Sequence, residues 1–176
     1  INKVCLSGIE AIAMADQLIR AGEFEVVVAG GMESMSNGPH YLPRSREGAK
    51  YGDWVLKDSV AVDALTCAFD QVAMGESTEA FNGKYSFTRE HQDEFSVASH
   101  SRSHAANEAG RLSPEIVPVE VDLGRGKTAV VEFDEGIRPD TSLESLGKLR
   151  PAFSSGGLIT AGNASQISDG AVAVVV

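Results

Sequence analysis

The stretch Ile1-Asn2-Lys3-Val4-Cys5-Leu6-Ser7-Gly8 decides how this chain is read. Val4-Cys5 reads as a strand end. Ser7-Gly8 reads as a small-residue turn into a long apolar helix from about Ile9 to Ala21. A thiol at a helix start lies near the positive end of the helix dipole and near backbone N–H groups without partners inside the helix. Both favour thiolate, the nucleophilic form of cysteine. Gly8 removes a side chain where the helix packs closely or a substrate approaches. The competing reading of Cys5 is a small buried hydrophobe, as most free cysteines are.

Downstream, Gly22 is a plausible residue to end that helix. Val26-Val27-Val28-Ala29 reads as a short strand buried on both faces, ended by Gly30-Gly31. Ser34 to Trp54, with Pro39, Pro43 and several glycines, reads as an extended loop. Helices are expected over Glu76–Tyr85 and Arg89–Ala109, the second with Thr88 as N-cap and Gly110 just past its end. Ile116–Val121 and Ala129–Phe133 flank Gly124-Arg125-Gly126 as a hairpin. Thr141-Ser142-Leu143-Glu144 is a capping box opening a short helix toward Lys148. Leu158 to Val176 reads as strand, Gly/Ser turn, strand. Its last run, Ala171–Val176, suits a central sheet position. The two ends of the chain therefore read as parts of one α/β sheet, with a long insertion between them.

The chain has 176 residues, enough for a domain with its own core. Its net charge of −10 argues against nucleic acid or an anionic membrane as main partner. Basic residues are still grouped: Arg44, Arg46 and Lys50; Arg125 and Lys127; Arg138, Lys148 and Arg150. Such patches suit a phosphorylated ligand, and equally a solvated mixed surface. Two cysteines, Cys5 and Cys67, give no disulfide framework and suggest a reducing, cytoplasmic setting. Asn163-Ala164-Ser165 matches a glycosylation sequon, with no other sign of secretion. A start without Met and an end in a bare apolar run read as a piece of a longer protein.

No dinucleotide fingerprint and no P-loop is present. His100 and His104 stand at metal-ligand spacing on a helix, but lack an HExxH pattern or a further ligand at suitable spacing. They read as exposed helix histidines, and no metal is expected. Gly30-Gly31-Met32-Glu33-Ser34-Met35-Ser36 and Gly162-Asn163-Ala164-Ser165 are small-residue loops following apolar strands, suited to close backbone approach or tight packing.

Taken in order, the motifs resemble the thiolase family, and within it the acetyl-CoA acetyltransferases. Asn2 to Gly8 is similar to the thiolase nucleophile motif, and Val28 to Ser36 to the strand and loop that follow it. Asp63-Ala64-Leu65-Thr66 and Met74-Gly75 resemble the start of the loop domain that covers coenzyme A. Lys148 to Phe153, then Thr160 to Ser165, resemble the return from it. The resemblance runs over essentially the whole chain.

It implies a layered αβα thiolase-like fold in the α/β class, its N-terminal domain incomplete. Residues 1–33 and 166–176 would belong to that domain, and 34–165 to an inserted α+β loop domain. It implies that Cys5 is acylated by acyl-CoA and that the acetyl group then meets the enolate-like carbon of a second acetyl-CoA. Leu65 and Met74 would line the pantetheine channel. Arg138 and Ser145 would contact the nucleotide end, Phe153 would lie near the adenine, and Ser165 would hydrogen-bond the pantetheine. Coenzyme A is substrate and product, so no cofactor is implied. The family implies a homo-oligomer, dimer or tetramer, with the segment Ser36 to Pro43 matching a subunit-contact region of tetramers.

Two departures stand out. Ala73 occupies a position where many biosynthetic members carry His, which bears on acyl-chain preference. The family's second cysteine, its activating histidine and its asparagine-based oxyanion hole lie in a C-terminal half with no counterpart here, so the isolated 176-residue chain is expected to be inactive or nearly so. The alternatives are a 3-ketoacyl-CoA thiolase for longer chains, a condensing enzyme acting on carrier-protein substrates, and a non-catalytic thiolase-fold homologue.

Overall fold

Helix α1 (Ser7–Arg20) forms where the sequence places it, starting two residues earlier than expected. The computed structural model describes residues 1–48 and 50–176. Ala21 closes α1, and Gly22 follows at φ +75°, the left-handed conformation that ends helices. With apolar residues nearly all round, the helix was expected to be buried. Only Ala15 is buried, while Ile9, Ile12 and Met14 are exposed. Its inner face packs on strand β1 (Val28–Ser34). Gly8 and Gly31 face each other across this contact, where a Cβ on Gly31 would lie 3.9 Å from Gly8 Cα, an ordinary van der Waals distance.

Strand β1 differs from expectation in running straight through Gly30-Gly31. It pairs antiparallel with the last strand, β6 (Asp169–Val175), from Val28 opposite Val175 to Ser34 opposite Asp169. A Cβ on Gly30 would lie 2.7 Å from the Val172 carbonyl oxygen, so the pairing requires glycine there. The expected union of the two chain ends in one sheet holds. The expected burial does not: every residue of β6 is exposed, and Ala29 alone is buried in β1. Among the described residues no third strand joins this sheet. Helix α1 packs on β1, and the apolar side chains of β6 are left exposed.

The chain divides into two compact units, Ile1–Met74 with Ile167–Val176, and Gly75–Gln166. Residues 34–74, assigned from sequence to the inserted domain, cluster with the first unit. The second unit is correspondingly shorter than 34–165. The segment read as an extended loop contains two short helical turns, Met35–Asn37 and Ser45–Glu47, and a small ribbon of β2 (His40–Tyr41) with β3 (Lys57–Asp58). A π-helical turn, Val60–Ala64, follows.

The second unit holds α2 (Met74–Tyr85, from its second residue), α3 (Arg89–Glu108), the β4 (Val119–Gly124) and β5 (Lys127–Val131) hairpin, and α4 (Leu143–Gly147). The α3 signals read as expected. The Thr88 side chain accepts the His91 N–H at 3.2 Å, and Gly110 follows the helix at φ +63°. In the hairpin turn Gly124, Arg125 and Gly126 all have positive φ. The capping box sits one residue later than read: Ser142, not Thr141, caps α4, and Ser145, not Glu144, answers it. The strand expected at the start of 158–176 is a single bridge, Pro151 to Thr160. The core of this unit is unusually polar, with Asp93, Thr160 and Asn82 buried beside Leu146 and Ile159.

Candidate active site

The residues around Cys5 form a turn rather than the expected strand end. Leu6 N–H donates to Lys3 C=O and Ser7 N–H to Val4 C=O, each at 3.1 Å. Two N–H groups expected to be free near the helix start are therefore used locally. The Ser7 hydroxyl accepts from Lys3 N–H at 2.7 Å and donates to Val4 C=O at 2.8 Å, and Asn2 Oδ1 accepts Val4 N–H at 3.0 Å. These bonds hold Val4 at φ +52°, a left-handed conformation that a β-branched residue adopts only at a cost. Nothing in the sequence signals that strain. Cys5 is exposed, two residues ahead of α1, so the buried-hydrophobe reading does not apply in this structure. The other thiol, Cys67, is half-buried and lies 3.6 Å from an Asp70 carboxylate oxygen.

The loop after β1 is pinned to the start of β6. Asp169 accepts from Ser36 N–H at 2.9 Å, from the Ser34 hydroxyl at 3.3 Å, and from the Ser36 hydroxyl. The Ser36 hydroxyl and N–H, with smaller help from Ser34 and the Met35 N–H, hold the Asp169 carboxyl below the usual carboxylate range against a small effect of burial. Sequence reasoning missed this aspartate. The Ser34-Met35-Ser36 loop was singled out, but its partner lies more than a hundred residues away in sequence.

Leu65 and Met74 come together. Leu65 N–H bonds Val60 C=O at 3.0 Å, the i to i+5 bond of the π-turn, and Leu65 C=O accepts Met74 N–H at 2.9 Å. The bridge Thr66–Ala73 lies between them. Leu65 is half-buried and Met74 exposed. π-turns recur at functional sites.

In the second unit, Arg138 is exposed, and its N–H donates to His100 Nδ1 at 3.2 Å. His100 was read as an exposed helix histidine. It is half-buried and anchors the Arg138 backbone. Among the described residues no cluster of three or more His, Cys, Asp or Glu could hold a metal. Ser145 is exposed, but its hydroxyl already serves the α4 cap, accepting from Ser142 N–H and donating to Ser142 C=O at 2.9 Å. Phe153 packs its ring over Gly75 in α2, where any Cβ would overlap it. Ser165 is exposed, and the neighbouring Gln166 amide donates to Gly136 C=O at 2.9 Å. The Ser165 loop and the segment leading to Arg138 are thereby tied together.

Glu79 on α2 holds the loop before Ser165. Its carboxylate accepts Ile159 N–H at 2.7 Å, Leu158 N–H at 3.0 Å and the Asn82 amide at 3.3 Å. Burial works against its charge, but these three donors outweigh that and hold the carboxyl below its ordinary range.

The thiolase N-terminal domain profile matches residues 1–176, the whole chain. The chain belongs to the thiolase family. It is 56% identical over its full length to a probable acetyl-CoA acetyltransferase of Mycolicibacterium smegmatis, of which it covers 45%. The crystal structure of the Bacillus anthracis acetyl-CoA acetyltransferase superposes with a TM-score of 0.93 at 39% identity, over 99% of this chain and 44% of that one. The human mitochondrial 3-ketoacyl-CoA thiolase in complex with CoA superposes with a TM-score of 0.90 at 41% identity, over 99% of this chain and 43% of that one. The chain thus spans somewhat under half the length of the relatives it matches. Its α/β fold is that of the N-terminal part of a thiolase. No helix among the described residues is long and apolar enough to cross a membrane.

Proposed function

We propose that the protein containing this chain condenses two acetyl-CoA molecules to acetoacetyl-CoA and free CoA, and catalyses the reverse thiolysis, through an acetyl group carried on Cys5. The observation that carries this reading is an exposed thiol, held by the strained Val4 turn just ahead of α1, in a chain of the thiolase family. The Cys5 sulfur attacks the thioester carbonyl carbon. The bond to the CoA sulfur breaks, and CoA leaves as its thiol with the proton. The α-carbon of a second acetyl-CoA, having lost a proton to a base, then attacks the acetyl-cysteine carbonyl. A carbon–carbon bond forms and the Cys5 sulfur is released. The family resemblance assigns that base, the activating histidine and the oxyanion hole to a C-terminal half.

Leu65 and Met74 take the pantetheine in this reading. Arg138 supplies positive charge, and Ser145 a contact, at the nucleotide end. Phe153 lies near the adenine, and Ser165 hydrogen-bonds the pantetheine. An exposed arginine suits an anionic substrate on a protein that is acidic overall. No cofactor beyond this substrate is required. The setting proposed is cytoplasmic, and the assembly a homodimer or homotetramer.

A second reading, a 3-ketoacyl-CoA thiolase for longer chains, is favoured by Ala73. It places a small residue beside Met74 where many biosynthetic members carry His. Thiolysis rates of C4 and C8 3-ketoacyl-CoA in the full-length protein separate the two. Faster C4 turnover supports the acetyl reading, and faster C8 turnover replaces it.

A further inference from the structure

We infer that Arg89, Asp93 and Asn163 form one positioning device that holds the coenzyme A contacts of the second unit in register. The inference rests on the function proposed above, deepening the account of that same site. The Arg89 guanidinium donates through Nε to Asp93 at 2.7 Å, through Nη1 to Leu149 C=O at 3.3 Å, and through Nη2 to Leu146 C=O. The other Asp93 oxygen accepts the Asn163 amide at 2.9 Å. Asn163 also donates to Leu158 C=O at 3.1 Å and accepts Thr160 N–H at 2.7 Å.

This connectivity reaches three places. Leu146 directly follows Ser145, Leu149 lies on the way to Phe153, and Asn163 lies two residues before Ser165. Packing reinforces the links, since any Cβ on Gly162 would overlap the Leu146 and Leu149 methyl groups, and Ala152 N–H bonds Ile159 C=O at 2.8 Å. Asp93 is 3% exposed and Thr160 fully buried. A hydrophobic cluster could hold these segments together, but it would not fix their register. A charged hydrogen-bond network centred on the buried Asp93, with Arg89 and Asn163 half-buried, does so because its donors and acceptors meet at fixed positions. The guanidinium fork matters, because a lysine amine cannot present the same planar set of donors. None of the three residues is assigned a contact with substrate, so each acts through Ser145, Phe153 and Ser165.

The test uses the full-length protein, CoA as probe in titration calorimetry, and the variants Asp93→Asn and Arg89→Lys. Both variants should raise the CoA Kd roughly tenfold or more, because small misplacements of binding groups are costly. KM for acetyl-CoA should rise by more than kcat falls. Alkylation of Cys5 by iodoacetamide should keep its rate, since Cys5 lies in the other unit. A role confined to stability would lower the melting temperature without that KM-against-kcat split. If Asp93→Asn does not fold, Arg89→Lys decides. In the unmodified protein, CoA should also slow hydrogen exchange at the Thr160 and Ala164 amides. Wild-type binding with unchanged Kd in the folded variants, or no exchange protection on CoA binding, overturns the inference alone. Absence of CoA binding by the wild type overturns the proposed function, and this inference with it.

Discussion

Replacing Glu79 with Gln keeps its size and removes its charge. The side chain accepts three hydrogen bonds, two of them from the backbone N–H groups of Ile159 and Leu158. A glutamine has one oxygen to offer, so its NH2 group must face one of those N–H groups. Hydrogen bonds to a charged acceptor contribute about 1.5–3 kcal/mol and neutral ones about 0.5–1.5 kcal/mol, and an N–H left unsatisfied adds its own cost. One broken bond and two weakened ones give a destabilisation of about 2–3 kcal/mol at neutral pH. With a urea m-value of roughly 1–3 kcal/mol/M, the midpoint falls by about 0.7–3 M. Far-UV circular dichroism suits the assay, because α2 and α3 belong largely to this unit.

The pH dependence separates charge from shape. The Glu79 carboxyl is held below its ordinary range in the folded state. Its contribution is therefore fully present above the unfolded value of about 4.3 and is lost as pH falls through the lower folded value. The gap between wild type and Glu79→Gln should be constant from about pH 7 to pH 5 and should shrink below that. A gap that stays flat to about pH 3, or one below about 0.5 kcal/mol at pH 7, would refute the reasoning.

Asp169→Asn should speed hydrogen exchange at the Ser36 amide. In the wild type the same exchange, corrected for its intrinsic rate, should accelerate as pH falls through the lowered Asp169 value; NMR would read both. Gly30→Ala should destabilise the first unit by about 1–3 kcal/mol in urea denaturation, because its methyl meets the Val172 carbonyl at 2.7 Å. Ser142→Ala should cost about 1 kcal/mol through loss of the α4 cap, and Thr141→Ala much less, reversing the assignment made from sequence.

Local signals were the legible part of the fold. Thr88 and Gly110 bound α3 because caps depend on side chains within a few residues, and Gly22 ends α1 for the same reason. Burial was misread in α1 and β6, since apolar composition records which residues can be covered, and the covering layer is not among the described elements. The Gly30-Gly31 pair looked like a strand terminus because glycine's backbone freedom and its lack of a side chain leave the same mark in a sequence. Here the second property is used. Cys5 was singled out as a candidate through its place before a helix. The strained Val4 was not, because a β-branched residue gives no sign of a left-handed turn. Asp169 and the Asp93–Asn163 contact depend on partners far apart in the chain. The Arg89–Asp93 pair, four residues apart on one helix, was available to sequence reading and was passed over.

The central claim is that Cys5 carries the acyl group. Intact-mass and peptide mass spectrometry of the full-length protein, quenched in acid after mixing with acetyl-CoA, tests it most directly. The account predicts one acetyl group on the peptide containing Cys5, removed by added CoA and absent in Cys5→Ala. An unmodified Cys5 under turnover, or an acetyl group found on Cys67 instead, would contradict it.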